Sequence, residues 1–161
     1  MVRAVALITG ASGGLGKCIS KEFINNGYQA VLQYYQNKIF FNESDIHAEN
    51  RVACFQADLR ETGDLNALFD FIKNTYGKLD VLINCAGKTC DALMARMSEH
   101  DWDDVIRLNL TAPYLCIQRA IEIIPKESKQ TIINVASLSG ITGNKGQVNY
   151  AASKAGLIAL T

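Results

Sequence analysis

The 161-residue chain has two prolines, two histidines and one tryptophan, and neither sign of charge is in excess: 16 lysines and arginines balance 16 aspartates and glutamates. With formal net charge zero, it carries no basic field to hold nucleic acid or an anionic membrane surface. His47 and His100 lie far apart in sequence, so no metal centre is expected. No stretch approaches the roughly 18 apolar residues of a spanning helix. The apolar run in MVRAVALITGASGG breaks at Thr9-Gly10, short of the roughly 7–15 residues and cleavage site of a secretory signal. The five cysteines, Cys18, Cys54, Cys85, Cys90 and Cys116, form no CxxC pair. The spacing of Cys85 and Cys90 suits neither a zinc knuckle nor a redox couple. They read as reduced, mostly buried thiols, in a cytoplasmic setting.

What is present suits one core. Apolar residues make up 48% against 20% charged, which excludes a disordered chain. Strand-length apolar runs occur at Val2–Thr9, Ala30–Tyr34, Val52–Ala57, Leu79–Asn84 and Thr131–Ala136. Between them, Leu15, Cys18, Ile19, Phe23 and Ile24 recur at helical spacing before Gly27. Leu65, Leu68, Phe69 and Ile72 do the same before Gly77. A short helix is expected within Gln36–Asn50, and a long one over Asp101–Ile124 with a bend or boundary at Pro113. A last helix is expected from about Val148 onward. Alternating strands and helices predict an α/β fold: a parallel sheet with helices on both faces, in one domain over 1–161.

A glycine cluster, Thr9-Gly10-Ala11-Ser12-Gly13-Gly14-Leu15-Gly16, lies where the first strand meets the first helix. Free N–H groups and the helix dipole there suit a phosphate. GxxxxGK[ST] fails because Cys18 follows Gly16-Lys17, and the strict GxGxxG fails because Ile19 follows Gly14-Leu15-Gly16. Glycines at 10, 14 and 16 in a longer turn remain, and they point to a dinucleotide. Asp58 is either an acceptor for an adenine amine or a helix cap. Gln33-Tyr34-Tyr35-Gln36-Asn37-Lys38 has no acidic residue at the ribose position, where a carboxylate would repel a 2′-phosphate. That leans toward NADP, with Lys38 either a phosphate ligand or a surface lysine. Tyr150 and Lys154, four apart, share one helix face. A nearby ammonium favours phenolate and brings a tyrosine of ordinary pKa near 10 into acid/base use.

Together these motifs give a specific resemblance. The chain resembles the classical short-chain dehydrogenase/reductase family, most of all its 3-oxoacyl-[acyl-carrier-protein] reductases. Thr9–Gly16 matches the family's TGxxxGxG turn, and Asn84-Cys85-Ala86-Gly87 its NNAG segment, with cysteine for the second asparagine. Asn109 falls at the catalytic asparagine. Ser137, Tyr150 and Lys154 fall at the catalytic serine, tyrosine and lysine, with 13 positions from serine to tyrosine. Asp91–Asn109 and Gly143–Tyr150 resemble the acyl-carrier branch in particular.

The resemblance implies a Rossmann-type doubly wound sheet of order 3-2-1-4-5. It implies NADPH-dependent reduction of a 3-oxoacyl thioester, free or on acyl carrier protein, in fatty-acid synthesis. Ser137 would hold the carbonyl oxygen, Tyr150 would donate the proton, and Lys154 would lower the tyrosine pKa and bind the ribose. Asn109 would support a water relay. Thr9, Gly10, Ser12, Gly14, Leu15, Gly16, Asp58, Leu59, Asn84, Ala86 and Gly87 would complete the cofactor site. Gly13 stands where NADP-dependent relatives often have arginine. Met94, Met97 and Trp102 are packing residues or help orient an acyl group. A homodimer or homotetramer is implied.

Against the family the chain is short. It ends at Thr161, inside the helix carrying Tyr150 and Lys154. The resemblance implies a last pair of strands and a substrate lid beyond that point. Two alternatives stay open: a reductase or dehydrogenase of another ketone or alcohol (steroid, sugar or polyketide), and a truncated, non-catalytic nucleotide-binding or interaction protein.

Overall fold

Strand β1 (Val5–Ile8) is buried along its whole length, so its residues alternate between two apolar layers rather than between core and solvent. Val5 and Leu7 join one cluster, Ala6 and Ile8 the other. The computed structural model, which describes residues 3–37, 51–124 and 131–161, builds the molecule outward from this strand. Lys38, His47 and most of the helix expected within Gln36–Asn50 lie outside the described residues.

The remaining strands are β2 (Gln29–Tyr34), β3 (Val52–Gln56), β4 (Val81–Asn84) and β5 (Thr131–Asn134). All pair in parallel, in the order β3-β2-β1-β4-β5, as expected. The register sets Ile8 against Leu32 and Ile83, so the C-terminal ends of the three central strands lie on one side within two residues of each other. Helix α1 (Gly14–Asn25) covers one face through Ile24, with Ile19 and Phe23 beside it. Helices α2 (Thr62–Tyr76) and α4 (Ala112–Ile123) cover the other. Leu65, Leu68, Phe69 and Ile72 pack there with Ala112, Cys116 and Ala120. The sheet therefore has helices on both faces.

The start and the Pro113 break expected for the helical segment over Asp101–Ile124 are corrected by the structure. Helix α3 (Glu99–Ile106) begins earlier, with Ser98 as its cap: the Ser98 hydroxyl accepts from the Asp101 N–H. A π-helical turn at Arg107–Thr111 then separates it from α4. The break falls before Pro113, which sits in the first turn of α4. Pro113 lacks an N–H for the carbonyl of Asn109 four residues back, and its ring crowds that carbonyl. The wider turn relieves the crowding, and the Ala112 N–H reaches the Arg107 carbonyl five residues back instead. The loop after β5 holds a further short helix, α5 (Ser139–Thr142), before α6 (Val148–Leu160).

The cysteine expectation is also corrected. Cys116 is buried, Cys85 and Cys90 are half-buried, and Cys18 and Cys54 are exposed. Cys18 lies on the outer side of α1, and Cys54 on a strand whose outer face is only partly covered. Among the described residues no helix is long and apolar enough to cross a membrane, and none of the His, Cys, Asp and Glu side chains cluster as metal ligands.

Candidate active site

The C-terminal strand ends open into a cavity of about 700 Å³. Its wall takes Gly10, Ser12, Gly14, Leu15 and Gly16 from the first turn, and Asp58 and Leu59 from beyond β3. Ala86 and Gly87 come from beyond β4, and Tyr150 and Lys154 from α6. Residues far apart in sequence meet here because a parallel sheet places all its strand C-terminal ends on one side.

Two glycines make the turn possible. Gly10 has φ 64°, and a Cβ on it would lie 2.6 Å from the Ala86 Cα. A Cβ on Gly16 would lie 2.2 Å from the Gly10 carbonyl oxygen. The turn thus folds tightly onto itself and onto the loop after β4. Gly14 differs, since its Cβ position meets nothing within 4 Å and faces open space. Gly13 caps α1 without a side chain, so no side chain occupies the first-turn N–H groups. This is the arrangement an anionic group requires.

Thr9 and Asn84 stand behind this wall rather than in it. Buried Thr9 donates its hydroxyl to the Ile83 carbonyl and accepts from the N–H groups of Cys85 and Ala86 at 3.0 and 3.1 Å. Asn84 Nδ2 donates to Asn134 Oδ1 at 2.8 Å, while its own Oδ1 is buried without a partner among the described residues. Asn109, fully buried in the π turn, also stands back from the wall. Its Oδ1 accepts from the Lys88 N–H, and its Nδ2 donates to the Lys88 carbonyl and to Ser153 Oγ.

At the β5 side, Lys154 is 4% exposed and its Nζ donates to the Val135 carbonyl at 2.7 Å. Burial lowers its pKa from 10.5, partly offset by Cys85. Its Nζ lies 5.8 Å from the centre of the Tyr150 ring. Ser137 Oγ accepts from the Ser139 N–H at 3.2 Å. Ser137 lies just past the wall residues Val135 and Ala136. Gly140 lets α5 close on α6, because a Cβ there would meet the backbone of Lys154 and Ala155 at 2.7 Å.

At the β3 side, Asp58 does not cap α2, whose cap position is Glu61. Its carboxylate takes Arg60 Nε at 2.9 Å and Nη2 at 2.6 Å. The Arg60 guanidinium thereby holds Asp58 below the ordinary 3.8. Arg60 Nη1 continues to Asp104 at 2.6 Å, and Asp104 also pairs with Lys88 Nζ. Burial would raise the Asp104 carboxyl, but hydrogen bonds from Lys88 and Arg60 win and leave it lowered.

Several supporting residues escape sequence reasoning. Gln33, 2% exposed, accepts the Gly10 N–H at 2.8 Å and donates to the Ala57 carbonyl at 2.7 Å. Asn149 Nδ2 spans the carbonyls of Cys90 and Asp101. Asn149 and Ser153 repeat the four-residue spacing of Tyr150 and Lys154 one position earlier, and Gln33 interrupts an apolar strand. Those were the available signals. Met94, Met97 and Trp102 line a separate surface pocket of about 440 Å³ with Val148.

Comparison with known proteins shows the family. A family model described as short chain dehydrogenase matches residues 4–161. A 3-oxoacyl-[acyl-carrier-protein] reductase FabG of Staphylococcus aureus is 38% identical over 162 residues, covering 97% of this chain and 65% of the relative. The FabG of Staphylococcus epidermidis is 36% identical over the same shares. A 3-oxoacyl-[acyl-carrier-protein] reductase of Synechocystis sp. is 37% identical over 160 residues, 98% of this chain and 65% of the relative. The chain thus spans about two thirds, 65%, of the length of the curated relatives it matches.

Proposed function

The chain belongs to the short chain dehydrogenase family, and we propose that its protein reduces a 3-oxoacyl thioester, on acyl carrier protein, to the 3-hydroxyacyl form with NADPH. One observation carries this reading: Tyr150 and a buried Lys154 line the same cavity as the Gly10–Gly16 turn. The similarity to three reductases of that name supports the substrate class. We read residues 1–161 as one nucleotide-binding domain of a cytoplasmic, homo-oligomeric enzyme.

The cavity fits a dinucleotide. Its glycine turn offers uncapped first-turn N–H groups, and the open space over Gly14 leaves room beside them. Ser12, Gly14, Leu15 and Gly16 would take the pyrophosphate, and Asp58 and Leu59 the adenine. Ala86, Gly87, Tyr150 and Lys154 would take the nicotinamide half. Thr9 acts from behind by holding the loop after β4, and Asn84 by joining β4 to Asn134 on β5. Bound there, a reduced nicotinamide supplies the hydride. No acidic side chain lies between Gln33 and Asn37, which favours the 2′-phosphorylated cofactor.

The protein's own part is to hold the carbonyl and deliver a proton. Ser137 Oγ is occupied as an acceptor by the Ser139 N–H, leaving its O–H to donate to the substrate oxygen as negative charge grows there. Tyr150 gives that oxygen a proton. Lys154, charged and close to the ring, lowers the cost of the phenolate left behind. Asn109 fixes Lys88 and so the loop bordering the nicotinamide, and supports the water relay that reprotonates Tyr150.

Purified protein is expected to oxidise NADPH when given an acetoacetyl thioester. Nucleotide binding without turnover of thioesters or other ketones would favour the non-catalytic reading. Turnover of a steroid or sugar ketone alone would move the substrate class.

A further inference from the structure

The charges around the cavity are unevenly placed. Among the described residues lining it, Asp58 is the only carboxylate. It sits at the β3 side with Tyr35, Gln36 and Asn37, across the sheet from Tyr150 and Lys154. A bare carboxylate there would oppose any added negative charge on an adenosine ribose. Gly13 contributes no side chain to offset it. The other lining cations, Lys88 and Lys154, come from beyond β4 and from α6.

Arg60 supplies the offset. Its guanidinium takes both Asp58 oxygens in a fork and lies 5.4 Å from the centre of the Tyr35 ring. Its third nitrogen is anchored on Asp104, which is not part of the cavity wall. Asp104 in turn is neutralised by Lys88. The guanidinium is therefore fixed in place, and 27% of its side chain stays open to solvent. Arginine suits this position because its planar fork holds a carboxylate while keeping one edge and a face for other partners.

We propose that Arg60 is the specificity-determining residue of this site: by neutralising Asp58 in the cavity wall beside Tyr35, it makes the adenosine end accept a 2′-phosphorylated nucleotide over its 2′-hydroxyl counterpart. The proposal rests on the nucleotide-binding reading above and assigns its cofactor choice to one ion pair. Its signature is that Arg60 and Asp58 act with opposite signs on discrimination between two ligands. A purely structural role would move both ligands together.

The test titrates NADPH and NADH into the purified full chain and compares the ratio of their affinities. Arg60→Gln is expected to lower the NADPH preference about tenfold, through the uncovered Asp58 charge. Arg60→Lys, which keeps the charge, should retain most of the preference. Asp58→Asn should raise it, and Asp58→Asn with Arg60→Gln should return it toward the starting value. Equal weakening of both nucleotides by Arg60→Gln overturns the proposal. If Arg60→Gln fails to fold, Asp58→Asn decides, and a preference that does not rise overturns it. Binding of both nucleotides with a ratio indifferent to Arg60 removes this inference alone. Binding of neither by the unaltered chain removes the nucleotide reading with it.

Discussion

Asn109 holds Lys88 by both ends of its backbone: Oδ1 accepts the Lys88 N–H and Nδ2 donates to the Lys88 carbonyl, each at 2.9 Å. The contact crosses 21 residues and ties the π turn to the loop bearing Ala86 and Gly87. Asn109→Ala would leave the part-buried Lys88 N–H and carbonyl without this partner, at up to about 1–3 kcal/mol for each. Asn109→Asp would keep the acceptor but face the Lys88 carbonyl with a second oxygen. Urea denaturation should show both variants less stable. Unchanged midpoints would deny the clamp any energetic weight.

Tyr150→Phe should remove turnover by roughly 10²–10⁴-fold, the usual contribution of a general acid. The fold should persist, because the Tyr150 backbone, not its ring, makes the bond to Asn149 Oδ1. Parallel thermal melts and NADPH-oxidation assays would check this, and a fully active variant would refute the assignment.

The two glycines of the turn should respond differently to alanine. Gly16→Ala places a methyl 2.2 Å from the Gly10 carbonyl oxygen, with backbone on both sides of the clash. A loss of about 1–3 kcal/mol or more is expected, as for other overpacked sites. Gly14→Ala meets nothing within 4 Å, so the fold should hold while the methyl intrudes on the nucleotide. Melting temperature and nucleotide titration together separate the two outcomes.

Acid should unpick the Asp58–Arg60–Asp104 chain. Both carboxyls have folded pKa values below the ordinary 3.8. The unfolded chain therefore binds more protons across that window, and stability falls as pH drops below about 4 through the lowered values. Asp104→Asn should flatten part of that slope in urea titrations between neutral pH and about pH 3. An unchanged slope would show the pair adds nothing to acid stability.

Thiol reactivity should follow burial. Cys18 and Cys54 are exposed, while burial pushes the Cys116 thiol up to about 12. Brief alkylation of the native protein, read by mass spectrometry, should label the first two and spare Cys116 until urea is added. Early labelling of Cys116 would mean that α4 opens readily.

The strands, the glycine turn and the Tyr150–Lys154 pair were readable because each depends on residues close in sequence. Apolar periodicity marks which face a segment buries, and four-residue spacing marks which side chains share a helix face. The interruption at Arg107–Thr111 was misplaced toward Pro113 because proline acts on the carbonyl before it, and the relief came as a widened turn. The cysteines misled because burial depends on which neighbours cover a position. Cys54 occupies an apolar run on β3, yet that strand lies at the sheet edge.

By itself, then, the sequence determined the parallel α/β class and the glycine turn between β1 and α1 from local pattern and spacing, while the strand order and the family came with the resemblance that the combined motifs carry. Only the tertiary structure decided how the site is supported. Asn109 on Lys88, Gln33 on Gly10 and Ala57, Asn149 on Cys90 and Asp101, and Arg60 between Asp58 and Asp104 join segments that the strand order alone brings together. A polar side chain in the sequence shows only that it needs a partner. Which partner it finds is set when the strand ends converge and water leaves the space between them.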